Sequence, residues 1–275
     1  MTDGTSNERY QVPALQRGMQ LLGQFTRDER ELTGAELSRR LGVPRASVFR
    51  LLQTLEQMGF VERVGDSANY KLGVAVLRLG FEYLASMELT EHGRPILDAL
   101  SVATGLSAHL AVRDSREVVV VAKSTGRTVQ FNSIQVGARL PAHATVLGRV
   151  LLGGQTLDQL HALYEGVALV ASSAHTPTTV LALKQLIDAD AERGFGISQG
   201  GYDAGISTVA APVFDEHHKI AAVVNVTVSA NRIDPSLVDA LVAQVRQAAD
   251  RLSERLNHLP RSAARPNPTL KKQPA

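Results

Sequence analysis

"LGVPRASVFRLLQTLEQMGFVER", residues 41–63, decides how this 275-residue chain is read. It opens on a Gly-Val-Pro bend, and Gly59 stops its periodic run. Between them Val48, Leu51, Leu52 and Leu55 recur at the three- and four-residue spacing of one helix face. Arg45, Ala46, Ser47, Arg50 and Gln53 fall largely off that stripe. From Leu37 to Leu55 the chain carries four arginines and no carboxylate.

Upstream, a helix is predicted to begin at "TGAE", with Thr33 capping free backbone donors and Glu36 reaching back in a capping box. Leu37 and Leu41 face inward, Gly42 ends the helix, and Pro44 suits the first turn of the next. An earlier helix, from Pro13 to about Arg27, places Leu15, Met19 and Leu22 at helical spacing. Downstream, "FVERVGDSANYKLG" has two short extended runs around a Gly-Asp-Ser-Ala-Asn turn, the pattern of a hairpin.

Two helices joined by a glycine turn and followed by a hairpin describe a winged helix-turn-helix, whose second helix enters the major groove of DNA. Arg45 and Arg50 suit phosphate or the acceptors of guanine. Ser47 can donate to phosphate or base, and Ala46 leaves room for close approach. Arg39 and Arg40 end the preceding helix where the DNA backbone passes, and Lys71 or Arg63 of the hairpin adds a further contact. A charge run alone describes a solvated basic face. The ordered series of cap, turn, stripe, stop and hairpin points instead to double-stranded DNA.

Residues 74–88 return to helical spacing, with more apolar surface than one small domain needs. This is the expectation of a linker helix over 74–90, buried against a partner or a second copy. Beyond Pro95 a helix is predicted over 96–105. "LSAHLAVRD", "REVVVVAKS" and "RTVQFNSIQ" read as three strands. "AHATVLGRVLLG" and "TVLALKQLIDADAERG" read as helices, and "GISTVAAPVFD" and "KIAAVVNVTVS" as two more strands. Asp234-Pro235 caps a long final helix with Val238, Leu241, Val242, Val245, Leu252 and Leu256 in its stripe. An antiparallel sheet with helices gives the α+β class. The expected organisation is a disordered 1–9, a DNA-binding 10–73, the linker 74–90, a sensing domain over 91–258 and a basic, proline-bearing tail over 259–275.

Composition narrows the function classes. Hydrophobic residues make up 44% and charged residues 20%, enough for a core in each part. The absence of cysteine excludes disulfides and thiolate metal sites. No apolar run reaches the roughly 18 residues that a membrane helix needs. The N-terminal "MTDGTSNERY" lacks an apolar signal core, so a cytoplasmic chain without membrane or cofactor is expected. Aromatics at 4%, with no tryptophan, argue against stacking on single strands.

"VPALQRGMQLL", "ELSRRLGVPRASVFRLLQTLEQMGFVER", "YKLGVAVLRLG", "VGARLPAHATVLGRVLLGG" and "GISTVAAPVFDEHHKIAAVVNVTVS" resemble, in order, five segments of the IclR family of bacterial transcription regulators. The resemblance covers about residues 10–258. It implies a winged helix-turn-helix joined by a helix to a GAF-like antiparallel sheet with helices. It also implies homodimers or homotetramers on a pseudo-palindromic operator, and a small-molecule effector that alters the grip on DNA. Position by position, it places His143, Thr145, Val146 and Leu147 on one side of the effector pocket and Ser198, Thr208, Asn225 and Thr227 on the other. Asn225 and Thr227 alternate with Val224, Val226 and Val228, so two polar groups share one face of an apolar strand.

The chain departs from the family at Gly200-Gly201, where an acidic pair is common, and in "PAHAT" and "GRVLL", where many members read "PLHAT" and "GKALL". The "RLPA" and "GRVLL" forms resemble the branch controlling aromatic-acid catabolism. For an acidic effector, Arg139 or the amides that open the "AHAT" helix are the expected donors.

Two rival readings remain. "GISQG", residues 196–200, matches the G-x-S-x-G elbow of serine hydrolases, with Ser198 as nucleophile, but that elbow needs a strand before it and a helix after it. His109, His143, His217 and His218 raise a metal question, against which stands the absence of ligand spacing. Neither a catalytic nor a metal residue is expected.

Overall fold

The computed structural model describes residues 12–26, 28–127, 134–230 and 232–257. The expected loose N-terminus, the basic tail and most of the "RTVQFNSIQ" strand lie outside the described residues. The chain divides into two compact units, residues 1–86 and 87–275. Among the described residues no helix is long and apolar enough to cross a membrane.

The first unit runs α1 (Pro13–Leu22), β1 (Leu32–Thr33), α2 (Gly34–Leu41), α3 (Arg45–Gln57), β2 (Val61–Arg63), β3 (Asn69–Leu72) and α4 (Ala75–Ser86). Thr33 accepts from the Glu36 amide and opens α2. The Glu36 carboxylate turns to Arg39 and Arg40 and does not close a capping box. Gly42 ends α2 in the left-handed region at φ 63°, which a side chain rarely tolerates. The Ser38 hydroxyl then donates to the Val43 carbonyl at 2.6 Å and fixes the bend before α3. Leu21, Leu37, Val48, Leu52 and Val61 close one core. β1 and β2 flank β3, all antiparallel.

Two local features differ from the periodicity reading. In α1 the buried residues are Gly18 and Leu21, while Leu15 and Met19 are 65% and 57% exposed. Leu15 and Met19 mark a surface of this unit, while Leu22 packs against its core. The helix expected over 74–90 is two helices: α4 closes at Ser86, and Met87 is extended. The amide and hydroxyl of Thr90 both bond the Met87 carbonyl, which starts α5 (Glu88–Thr104).

Pro95 lies inside α5 and not ahead of it. It removes one bond to the carbonyl of Glu91, an exposed residue whose carbonyl water can satisfy. The second unit continues with β4 (Ser107–Asp114), β5 (Glu117–Ser124), β6 (Arg139–Pro141), α6 (Val146–Leu151), α7 (Leu157–Leu163) and α8 (Val180–Arg193). It ends with β7 (Gly196–Gln199), β8 (Ser207–Phe214), β9 (Ile220–Val228) and α9 (Pro235–Asn257). α7 is signalled by a capping box between Thr156 and Gln159.

The six strands form one antiparallel sheet in the order β6-β5-β4-β9-β8-β7. A Cβ on Gly93 of α5 would meet Leu110 of β4 at 2.7 Å, so α5 lies against the Leu110 face. The alternate residues Ala111, Ala210 and Val223 pack with Val146, Leu147 and Val150 of α6. The sheet therefore has helices on both faces, and strand parity decides which face a side chain enters. The α+β class with an antiparallel sheet is what the structure shows.

Candidate nucleic-acid interface and sensing site

Helix α3 buries Val48 and Leu52 and leaves Arg45, Ala46, Phe49 and Arg50 exposed. Among the described residues neither Arg45 nor Arg50 has an ion-pair or side-chain partner. Their charge is free for phosphate or a base edge. Ser47 is half-buried, and its amide bonds the Pro44 carbonyl at 2.9 Å. Phe49, which sequence reasoning passed over, is 57% exposed on the same outer surface. The signal was present: Phe49 sits off the Val48-Leu52-Leu55 stripe.

The other predicted contacts are committed within the protein. Arg40 donates to both carboxylate oxygens of Glu29, at 2.9 and 2.7 Å, and to Glu36. Its guanidinium holds the Glu29 and Glu36 carboxyls below their ordinary range. Arg39 reaches Glu36 at 2.7 Å but keeps most of its side chain exposed. Lys71 pairs with Glu62 across the hairpin at 3.4 Å. Arg63 lies over the ring of Tyr70 and donates to its hydroxyl at 2.6 Å. The structure thus separates two free arginines on α3 from cations that brace the scaffold.

In the second unit, strand register assembles the polar residues. Ser198 stands opposite Thr208, Thr208 opposite Thr227, and Thr227 opposite Ser107. One step along, Asn225 lies between Ala210 and His109. These rows share the face that α6 covers. Asn225 and His109 are 1% and 2% exposed. The Asn225 amide donates to the Thr227 hydroxyl at 3.4 Å, and its oxygen has no partner among the described residues.

Among the described residues neither ring nitrogen of His109 makes a well-formed hydrogen bond. Burial, and then the charge of Lys123, pushes its pKa down to about 4, although a backbone group of Ile134 pulls the other way. The ring is neutral at pH 7. Sequence reading weighs His109 only as a metal ligand or a core histidine and leaves it out of the effector pocket, although its alternation with Ala108 and Leu110 already places it opposite their face.

The α6 side is less polar than expected. Val146 and Leu147 belong to the core. The Thr145 hydroxyl caps α6 through the Gly148 amide and turns to the Pro141 carbonyl. His143 bonds the Val170 carbonyl at 3.0 Å and meets Tyr164 edge-on. The buried hydroxyl of Tyr164 also lacks a well-formed bond among the described residues, and burial raises its pKa.

The departures have physical content. A Cβ on Gly201 would meet the Ser198 hydroxyl at 2.3 Å, so this hydroxyl and the loop approach more closely than a carboxylate side chain allows. Arg139, expected to await an acidic effector, is exposed and engages Asp114 and Glu117. Arg149 of "GRVLL" donates to Asp190 at 2.7 Å and to the Ile197 carbonyl at 3.3 Å. A lysine lacks the planar fork that serves both.

Ser198 sits within β7, and a turn through Gly200 leads to β8, so no helix follows as a nucleophile elbow requires. Among the described residues no group of three His, Asp or Glu side chains is placed to hold a metal.

Comparison with known proteins agrees with this geometry. The family described as "IclR helix-turn-helix domain" matches residues 14–65, and "Bacterial transcriptional regulator IclR C-terminal" matches residues 81–254. The HTH-type transcriptional regulator XynR of Escherichia coli is 27% identical over 250 residues, covering 90% of this chain and 98% of XynR. An IclR transcriptional regulator from Alicyclobacillus acidocaldarius superimposes with a TM-score of 0.78 at 25% identity, covering 89% of this chain and 99% of that one. An IclR homologue from Microbacterium hydrocarbonoxydans, crystallised with 4-hydroxybenzoate, shares the fold with a TM-score of 0.75 at 20% identity, covering 88% and 98%. The relatives are transcription regulators, not enzymes.

Proposed function

The chain belongs to the IclR family of DNA-binding transcription regulators, and from that premise we propose that a small organic or aromatic acid bearing a hydroxyl group controls its grip on an operator. Residues 10–73 read DNA, 74–90 link, and 91–258 sense the acid. The observation that carries this reading is the buried Asn225 oxygen beside the neutral His109 ring, both without a well-formed partner among the described residues. Buried polar groups are normally paired, and leaving one unpaired costs about 1–3 kcal/mol. A ligand hydroxyl can donate to the Asn225 oxygen. The histidine offers one donor and one acceptor in either neutral tautomer. Ser198, Thr208 and Thr227 supply further hydroxyls along the same rows. The solved homologue with 4-hydroxybenzoate supports the capacity of this fold to enclose a compact acid.

The active species is a homodimer or a pair of dimers on a pseudo-palindromic operator. Supporting this, the first unit exposes Leu15 and Met19, one turn apart on α1, and Leu77 and Leu79 on α4. Each α3 enters one major groove, with Arg45 and Arg50 as its contacts. The acid acts only through a difference in affinity between two arrangements of the paired heads, a coupling of about 1–3 kcal/mol. The test is Asn225→Ala with Thr227→Ala in gel-shift titrations of the protein's own promoter, after a thermal-shift screen of hydroxylated acids. Operator affinity should hold while the response to the acid is blunted. An unchanged dose curve removes these residues from the site.

A further inference from the structure

A cavity of about 740 Å³ opens at the other end of β4, β8 and β9 from the polar rows. Its walls come from α6, the C-terminal part of α8, the β8–β9 turn and the middle of α9. The volume lies within the range of small-molecule sites. Phe195, Pro212 and Ile220 give it an apolar side.

The charge of the lining is unbalanced. Arg113, Arg149, Lys219 and Arg246 stand against Asp190 and Asp250. Asp190 is 3% exposed and already satisfied twice, by Arg149 at 2.7 Å and Arg193 at 2.5 Å. This pair forms a fixed floor. Among the described residues the guanidinium of Arg246 and the ammonium of Lys219 have no ion-pair partner within 4 Å. Arg246 lies over Gly194, its Nη2 3.6 Å from where an added Cβ would sit, and it lines the cavity. The Gln159 oxygen is held by the Thr156 amide, which leaves its NH2 group to donate.

We propose that this cavity is a second ligand site, independent of the one on the polar rows, and that it takes a compact dianion. Arg246 binds one anionic group bidentately, Lys219 supplies a point charge to the same ligand, and the apolar side receives its carbon skeleton. A dicarboxylate and a small phosphate ester share the chemistry these groups recognise.

The test is isothermal titration of the full-length protein with succinate, glucose 6-phosphate and inorganic phosphate, with acetate at matched ionic strength as the monoanion control. Arg45→Ala with Arg50→Ala serves as the background, because α3 also attracts anions. At least one dianion should bind saturably and acetate should not. Succinate alone assigns the dicarboxylate source, and a phosphate compound alone assigns the ester. Arg246→Gln and Lys219→Gln, both at exposed positions, should each weaken binding at least tenfold, whereas Asn225→Ala should leave it unchanged. The inference is overturned by the absence of saturable dianion binding, by full affinity in both charge variants, or by loss of affinity in Asn225→Ala alone. None of these outcomes bears on the response to the hydroxylated acid, which is read separately by gel shift.

Discussion

Arg149 on α6 and Asp190 on α8 form a 2.7 Å ion pair in which the carboxylate is 3% and the guanidinium 12% exposed. Removing one member strands the other. Breaking a buried pair typically costs about 3–5 kcal/mol, because the remaining charge is neither hydrated nor paired. Asp190→Ala should therefore lower stability by that order in urea unfolding, with a matching fall in Tm. Arg149→Lys keeps the charge but loses either Asp190 or the Ile197 carbonyl, and should sit between wild type and Asp190→Ala. Equal stability in all three proteins would mean that water compensates the pair.

The buried His109 makes stability depend on pH in a defined direction. Its folded pKa lies near 4, below the ordinary histidine value of 6.5. Between those values the unfolded chain binds more protons than the folded one, so stability rises with pH across the window. The contribution is complete above about pH 6.5 and is lost as pH falls toward 4. Its full size is roughly 3 kcal/mol. His109→Gln should flatten this part of the profile, measured as the difference between wild-type and variant unfolding free energies at pH 4.5 and 7. Parallel profiles would show that the folded ring titrates normally.

The sequence was most legible where one periodicity had one consequence. The Val48-Leu52 stripe, the Thr33 cap and the Gly42 bend define α2 and α3 almost to the residue, because capping and burial act over a few neighbours. Leu15 and Met19 show the limit. Helical spacing reports that a face is apolar, not what covers it. Pro95 was read as a break, yet an exposed mid-helix proline loses one bond that water replaces. The polar rows were half legible: alternation put Asn225 and Thr227 on one face, but only strand register brings His109 beside them. Arg40 read as a DNA contact because its acidic partner Glu29 lies 11 residues away, in a loop with no periodic signal.

Phe49 offers a separable test of the recognition surface. It is 57% exposed and packs in no core, so truncation should leave the Tm within a degree or two. On DNA an aromatic edge at this position suits the methyl group of thymine. Phe49→Ala should weaken operator binding several-fold in fluorescence anisotropy and relax the preference for thymine at one position of each half-site. Unaltered affinity and preference would place this ring outside the groove.

The division between free and committed cations gives the sharpest contrast on the DNA face. Arg45 and Arg50 carry unshared charge, so Arg45→Ala and Arg50→Ala should each lower operator affinity by roughly tenfold or more. If either contact is to phosphate, it should also reduce the salt slope of log K by about one. Arg40 is spent on Glu29 and Glu36. Arg40→Ala frees the Glu29 carboxylate near the phosphate backbone, while Glu36 keeps Arg39. It should weaken binding without removing a cation contact, leaving the salt slope close to wild type once affinity is compared at low salt. Anisotropy titrations from 50 to 200 mM salt separate the cases. If Arg40→Ala reduces the slope as strongly as Arg50→Ala, Arg40 leaves its carboxylates on binding and contacts phosphate directly.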